Sequence, residues 1–352
     1  MKKAFVFLLM MMPMFGIQSQ TVLKADGAGN TYELITEVLA PGYNPLETPD
    51  CSHLDFGRHI DEVWDTDLSE YVFRFYMHVV PDNDRCINTD RQRNEIKVYV
   101  KSPDELKSFT GDIVEYKWKF KIDKLFQPST SFTHLHQLKF VGGSEDKMPL
   151  ITLTARKANP DKIELRYARN DSQITLATFD LSLIAGEWVT VDEIVKFGEQ
   201  GTYEIRIIKI SDSTGIFHYQ NKNLRMWRSG ALFSRPKWGI YRSLNHAEQL
   251  RDEVVLFNEF SIDKLSASST GEMKLKHGII VFPNPAGENV YFDFKETKGY
   301  YFFRVINKEG KTVLKSNDRK AKAIDISQLA KGLYLLEFVN NNKRIVRKLI
   351  KM

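Results

Sequence analysis

Three stretches of the chain gather side chains able to hold an anion or move a proton. In Thr89-Asp90-Arg91-Gln92-Arg93-Asn94-Glu95-Ile96-Lys97-Val98-Tyr99-Val100, the two-residue period of a β-strand puts Arg91, Arg93, Glu95 and Lys97 on one face, four charges in a row. In Ser131-Phe132-Thr133-His134-Leu135-His136-Gln137-Leu138-Lys139-Phe140, two imidazoles, an amide and an ammonium lie within six residues. In Arg235-Pro236-Lys237-Trp238-Gly239-Ile240-Tyr241-Arg242, Lys237, Gly239 and Tyr241 share one face while Trp238, Ile240 and Arg242 share the other. Each stretch has an ordinary explanation on its own: a solvated stripe, a hydrogen-bonded strand histidine, an edge strand with a snorkelling lysine.

Together they match the needs of one reaction. Cleaving a uronic-acid polymer by β-elimination removes the C5 proton beside a carboxylate and returns a proton to the leaving O4. The C5 proton becomes removable only if an Arg, Lys, Gln or Asn takes up the carboxylate's charge and stabilises the enolate-like intermediate. Arginine suits that task because its planar fork grips a carboxylate in bidentate fashion. A histidine or tyrosine can then accept the proton, and a tyrosine can return one.

The elements that must position these residues are strands. In Tyr116-Lys117-Trp118-Lys119-Phe120-Lys121-Ile122, apolar side chains oppose three lysines, and Tyr71, Phe73, Phe75 and Met77 alternate in the same way. Further runs follow at Leu150–Arg156, Lys162–Arg169, Ile174–Phe179, Trp188–Val195, Thr202–Ile210, Lys237–Ser243 and Val254–Leu265, with turn residues between them. Many short alternating strands predict an all-β fold, a jelly-roll sandwich in which one sheet offers a groove. Ser266-Ala267-Ser268-Ser269-Thr270-Gly271 reads as a linker. The pattern after it predicts a small C-terminal β-sandwich with turns at Asn284-Pro285, Glu309-Gly310 and Lys331-Gly332. The expected division is therefore a leader over 1–20, a jelly roll over 21–265, a linker over 266–276 and the small sandwich over 277–352.

The leader reading rests on Lys2 and Lys3 followed by a short apolar run, the pattern of a cleaved secretory signal, and it predicts an exported protein. The net charge of +5 suits a polyanionic partner. Dispersed basic residues in an exported chain argue against nucleic acid. Cys51 and Cys86 are the only cysteines and could pair after export, or remain as two free thiols. No His-Glu-x-x-His motif is present, and the His134–His136 pair lacks a third metal ligand, so no cofactor is expected. A structural calcium on Asp82, Asp84 or loop carbonyls is a weaker alternative.

Two resemblances extend this reading. Pro283-Asn284-Pro285-Ala286, Asp325-Ile326-Ser327-Gln328-Leu329, Gly332-Leu333-Tyr334 and the basic end Arg347-Lys348-Leu349-Ile350-Lys351 resemble the C-terminal sorting domain of the type IX secretion system. That resemblance implies export across the outer membrane, to the medium or the cell surface, with the secretion machinery as a partner. The three chemical stretches, in this order, resemble the signature strands of jelly-roll polysaccharide lyases of the alginate, glucuronan and heparin I types. Arg93 and Glu95 match the first strand, and Lys237 and Tyr241 match the third. The second departs, because His134-Leu135-His136 stands where alginate lyases carry Gln-Ile-His. Gln137 could serve as the missing amide only if a bulge changes its face.

The resemblance implies a secreted lyase, expected as a monomer acting on an acidic polysaccharide. Arg93 would bind the substrate carboxylate with Gln137 or His134, His136 would be the base, and Tyr241 the acid or both. Lys237, Arg91, Lys139 and Arg242 would hold neighbouring acidic sugars, Trp238 or Tyr76 would stack on a ring, and Glu95 would orient Arg93. Two rival classes remain: a jelly-roll glycoside hydrolase, which needs paired carboxylates, and a non-catalytic binding module. No Glu-x-Asp occurs anywhere in the chain, which disfavours the best-known hydrolase arrangement.

Overall fold

The structure is a computed structural model describing residues 20–265, 279–294, 302–316, 323–340 and 343–352. Met1 to Ser19 of the expected leader, and the expected linker over 266–276, lie outside the described residues.

Alternation along the sequence becomes two facing antiparallel sheets. Tyr116, Trp118, Phe120 and Ile122 are buried while Lys117, Lys119 and Lys121 lie on the outside of their strand, Ile113–Ile122. That strand is central to an eight-stranded sheet. Its main path runs Gly215–Leu224, Gly201–Lys209, Val189–Lys196, Ile113–Ile122, Glu253–Leu265, Glu70–Met77 and Ile60–Asp65, and Thr21–Leu23 pairs beside Glu253–Leu265. The second sheet has seven strands, ordered Gln173–Asp180, Lys162–Ala168, Ile151–Arg156, Thr133–Val141, Phe233–Ser243, Arg91–Lys97 and Leu46–Glu47. The fold is a β-sandwich of the jelly-roll type, and all three chemical stretches occupy adjacent strands of the second sheet. We call it the groove sheet, after the groove expected on its outer face.

Aromatic side chains from both sheets fill the space between them. Trp118 of one sheet packs against Trp238 of the other at a ring separation of 6.1 Å, and Phe257 packs on Phe75 at 5.0 Å. Truncating such a ring costs about 3–5 kcal/mol. One short helix, Thr31–Leu39, turns Ile35 and Leu39 into the same core.

The C-terminal residues build two smaller sheets. One contains Ile279–Phe282, Asn289–Phe294 and Ala323–Asp325; the other contains Thr312–Ser316, Phe302–Ile306, Gly332–Asn340 and Lys343–Lys351. Val281, Phe292, Phe303, Leu336, Phe338 and Leu349 share their core. Asn284 ties the last strand down: its Nδ2 donates to the Lys348 carbonyl at 2.6 Å, and its Oδ1 accepts from the Ile350 amide at 2.8 Å.

Cys51 and Cys86 form a disulfide across 35 residues, with Cα atoms 6.2 Å apart. In the chain-entropy view, a loop of that length contributes roughly 3–4 kcal/mol by restricting the unfolded chain. The paired variant Cys51→Ala with Cys86→Ala should therefore lose about 3 kcal/mol in urea unfolding, and an unchanged midpoint would refute the contribution. A second prediction concerns Asp192, which is 1% exposed and has no hydrogen-bond partner among the described residues; Lys117 Nζ stands 3.7 Å from it, beyond hydrogen-bond range. Burial, opposed by Lys117 and aided by Glu115, pushes its carboxyl up to about 6. A carboxyl raised on folding favours the folded state fully below the unfolded value near 4, and that contribution disappears as pH rises through about 6. Asp192→Asn should thus leave the melting temperature nearly unchanged at pH 4 and raise it at pH 8.

Candidate functional site

Two local irregularities decide which side chains reach the outer face of the groove sheet. Along Thr133–Val141, His134 pairs with Thr154 and His136 with Leu153, so two residues of one strand oppose one of its neighbour. This bulge at Leu135 separates the two histidines. His134 and Gln137 face outward, while His136 and Leu138 face the core. Along Phe233–Ser243, pairing with the same strand shifts between Trp238 and Tyr241. Gly239 sits in that interval with φ of 142°, and a Cβ there would stand 2.1 Å from the Asn94 carbonyl oxygen. Only glycine allows so close an approach of two backbones.

The registers line up a row of three functional groups. Tyr241 pairs with Arg93 on one side and His134 on the other. The Arg93 guanidinium lies 3.6 Å over the Tyr241 ring, and Arg91 Nη1 donates to the phenol oxygen at 3.1 Å. The Tyr241 ring is 5.7 Å from the His134 ring and 5.1 Å from Phe132, which stacks on His134 at 4.8 Å. His134 Nδ1 contacts Thr154 Oγ1 at 2.8 Å. Burial is the main cause that pushes the His134 imidazole down to about 3; Glu95 opposes it, and Arg93, Arg156 and Arg166 add to it. The ring is neutral across the physiological range.

Beside this row lies a buried charge network. Glu95 and Glu47 are 0% and 5% exposed. Glu95 receives Arg93 at 2.6 Å, Lys237 at 2.6 Å and the Gln137 amide. Glu47 receives Lys97 at 2.7 Å, Arg85 at 2.8 Å, Arg93 at 3.3 Å and Lys237. Arg93 also donates to Asp84 at 2.9 Å, and its Nη2 takes part in none of these bonds. Burial raises both glutamates, but the surrounding cations, Lys237 and Arg93 foremost, overcome it and hold Glu47 and Glu95 below the usual carboxylate range. Further along the same face, Lys139 pairs in register with Arg235, and neither forms an ion pair with any described residue. Burial, reinforced by Lys237, Arg93 and Arg235, pushes the Lys139 amine down to about 8.

The structure therefore gathers Arg91, Arg93, Glu95, His134, Gln137, Lys139, Lys237 and Tyr241 on one face and separates the rest. His136, expected as the base, is fully buried; its Nε2 meets Glu193 of the opposite sheet at 2.9 Å, and its ring packs 4.3 Å from Trp118. Trp238, expected to stack on a sugar, is a core side chain because its strand position faces inward. Arg242, expected to bind substrate, is buried for the same reason and donates to Gln92 at 2.7 Å and to the Arg251 carbonyl at 2.8 Å. Tyr76 belongs to the other sheet. Lys237 is on the groove side but only 3% exposed, occupied by Glu47 and Glu95. The sequence reading did not single out Glu47, Thr154 or Phe132; the Thr152 and Thr154 alternation within Ile151–Arg156 was a legible signal that one face of that strand is polar.

Residues 280–352 match the family model described as a secretion system C-terminal sorting domain, which addresses the chain through the type IX system to the cell exterior or surface. No curated protein matches the chain in sequence. The solved structures similar to it include a PL-14 alginate lyase from Aplysia kurodai, 13% identical, covering 69% of this chain and 98% of that one with a TM-score of 0.49. An endo-β-1,4-glucuronan lyase from Trichoderma reesei is 14% identical, covers 58% and 87%, and has a TM-score of 0.42. An alginate lyase from Pseudomonas aeruginosa is 13% identical, covers 58% and 86%, and has a TM-score of 0.40.

The opposed faces of the two histidines predict opposed phenotypes. His136→Ala leaves Glu193 buried with only Tyr203, which donates to it at 2.8 Å, and should cost on the order of 3 kcal/mol in urea unfolding. His134→Ala, which removes a buried ring bonded to Thr154 but strands no charge, should cost less, about 1–2 kcal/mol. Equal losses would contradict the bulge.

Proposed function

We propose that the protein cleaves a uronic-acid-containing polysaccharide by β-elimination, leaving a 4,5-unsaturated uronate end. The observation that carries this reading is the row Arg93, Tyr241, His134, in which a phenol stands between a guanidinium and a neutral imidazole in a cationic groove. Gly239 leaves the floor without a side chain between Tyr241 and Lys237, and the reacting sugar sits over that gap. Its carboxylate is taken by Gln137 and the remaining Nη2 of Arg93, with Arg91 alongside. Lys139 and Arg235 hold the carboxylate of a sugar further along the chain.

Tyr241 is the residue that moves protons. A charge developing on its oxygen meets the Arg91 donor already 3.1 Å away. His134, whose burial leaves it little affinity for a proton, takes the place expected for His136 and acts as a neutral hydrogen-bonding partner. Tyr241, entering as the phenolate, takes the proton from C5; the C5–H electrons become the C4–C5 double bond, the C4–O4 pair leaves with O4, and the Tyr241 hydroxyl gives its proton to O4, restoring the phenolate.

A hydrolase reading finds a carboxylate pair in Glu47 and Glu95, but both are buried, ionised and locked to Lys237. A general acid must instead be protonated and accessible. The test is a panel of uronate polymers assayed for the ultraviolet absorbance of the unsaturated product. Tyr241→Phe should fold normally and lose at least about 100-fold in kcat, whereas His134→Gln should keep more activity than His134→Ala. Binding without an unsaturated product in the unmodified protein would make it a binding module, and reducing ends without a double bond would make it a hydrolase.

A further inference from the structure

On the rim of the sandwich, behind Asp84, three imidazoles converge on one carboxylate. His53 Nδ1 lies 3.0 Å from Asp82 Oδ1, His59 Nε2 lies 3.1 Å from the same oxygen, and His78 Nδ1 lies 3.1 Å from Oδ2. One potential ligand atom from each of the four residues falls within 4.8 Å of all the others. Tetrahedral zinc, with bonds of about 2.0–2.2 Å, needs its donors roughly 3.3 Å apart, so small side-chain rotations would close this set. We propose that His53, His59, His78 and Asp82 form a site for a divalent transition-metal ion of the zinc class, with a structural role.

The geometry around His59 is the strongest argument. Its ring is fully buried, and both of its nitrogens face carboxylates: Nε2 faces Asp82, and Nδ1 faces Asp50 Oδ1 at 2.9 Å. A neutral imidazole has one N–H and can satisfy only one of them, so the ring needs either a second proton or a metal at Nε2. A metal at Nε2 resolves this, with Nδ1–H donating to Asp50 in the carboxylate–histidine–metal arrangement that fixes tautomer and ring orientation. Asp50 is itself held by Tyr32, whose hydroxyl donates to Oδ2 at 2.8 Å. Three nitrogens and one oxygen are the donor set of zinc rather than of calcium, which takes six to eight oxygens. The Phe56 ring covers the cluster, 4.4 Å from His78, 4.8 Å from His59 and 5.2 Å from His53, as the apolar shell of a closed site.

The ligands come from the two segments that Cys51–Cys86 already joins, so the ion would be a second fastening of the same corner. Binding can be read without any assay of the groove. Full-length protein freed of metal with a chelator should take up one Zn²⁺ per chain by calorimetry and melt at a higher temperature when loaded. Co²⁺ should give the visible bands of tetrahedral coordination. His53→Ala and His78→Ala, both at partly exposed positions, should each weaken Zn²⁺ binding at least tenfold. Asp50→Asn should weaken it by about 10–100-fold although Asp50 is not a ligand. His246→Ala, an exposed control, should change nothing. Absence of stoichiometric Zn²⁺ and Co²⁺ binding by the unmodified protein, undiminished binding in the two histidine variants, or tighter binding of Ca²⁺ than of Zn²⁺ would each overturn the site.

Discussion

Side chains alternate along a strand, so the single unmatched residue at Leu135 sends His134 and His136 to opposite sides of the groove sheet. The faces of His134, His136 and Gln137 depend on that irregularity. With a regular strand, His134 and His136 would share a face, Gln137 would point inward, and the amide now bonded to Glu95 would be lost from the groove. The inward His136 ties the sheets together through Glu193. One irregularity thus supplies both a cross-sheet anchor and a pair of outward polar groups.

The floor of the groove is organised by charge compensation rather than by apolar contact. Glu47 and Glu95 could not remain ionised at 5% and 0% exposure without Arg93 and Lys237, and those cations would repel one another without the glutamates. Such a network holds the Arg93 guanidinium over the Tyr241 ring. Pre-organisation of this kind is what a site must have if it is to stabilise charge without rearranging. The consequence is that Lys237 is buried between Glu47 and Glu95, while Lys139 and Arg235, which form no ion pair among the described residues, stand further along the same face.

Much of this was legible in the amino-acid order, and the failures share one cause. The all-β alternation identified the lysine-edged strand Ile113–Ile122 and the groove strands Arg91–Lys97 and Phe233–Ser243 to within a few residues. Arg93, Glu95 and Tyr241 lie on strands whose mutual register is regular, and period-two reading sufficed for their faces. His136 lies beyond a bulge, which has no signature in Thr-His-Leu-His-Gln, and its face was therefore misread. Trp238 and Arg242 were already read onto the face opposite Tyr241; assigning them to the substrate neglected that a sandwich buries one face of every central strand. The histidine cluster was invisible for another reason. His53, His59, His78 and Asp82 follow no ligand spacing on one element, and only the meeting of two loops unites them.

That meeting also bears on Arg93. Its partner Asp84 begins a tight turn in which Arg85 and Cys86 both adopt left-handed φ, at 57° and 58°, a conformation that costs non-glycine residues about 1–2 kcal/mol each. The turn is held by the Cys86 amide donating to Asn83 Oδ1 at 2.7 Å, by Asn88 donating to Asp84 at 3.0 Å, and by the bond to Cys51. If the turn relaxed, Asp84 and Arg85 would leave the network together, removing one anion from Arg93 and one cation from Glu47. A disulfide forms in an oxidising compartment, which a chain addressed to the cell exterior or surface meets once it has left the cytoplasm. The covalent link on the rim and the stacked guanidinium in the groove are therefore parts of a single arrangement.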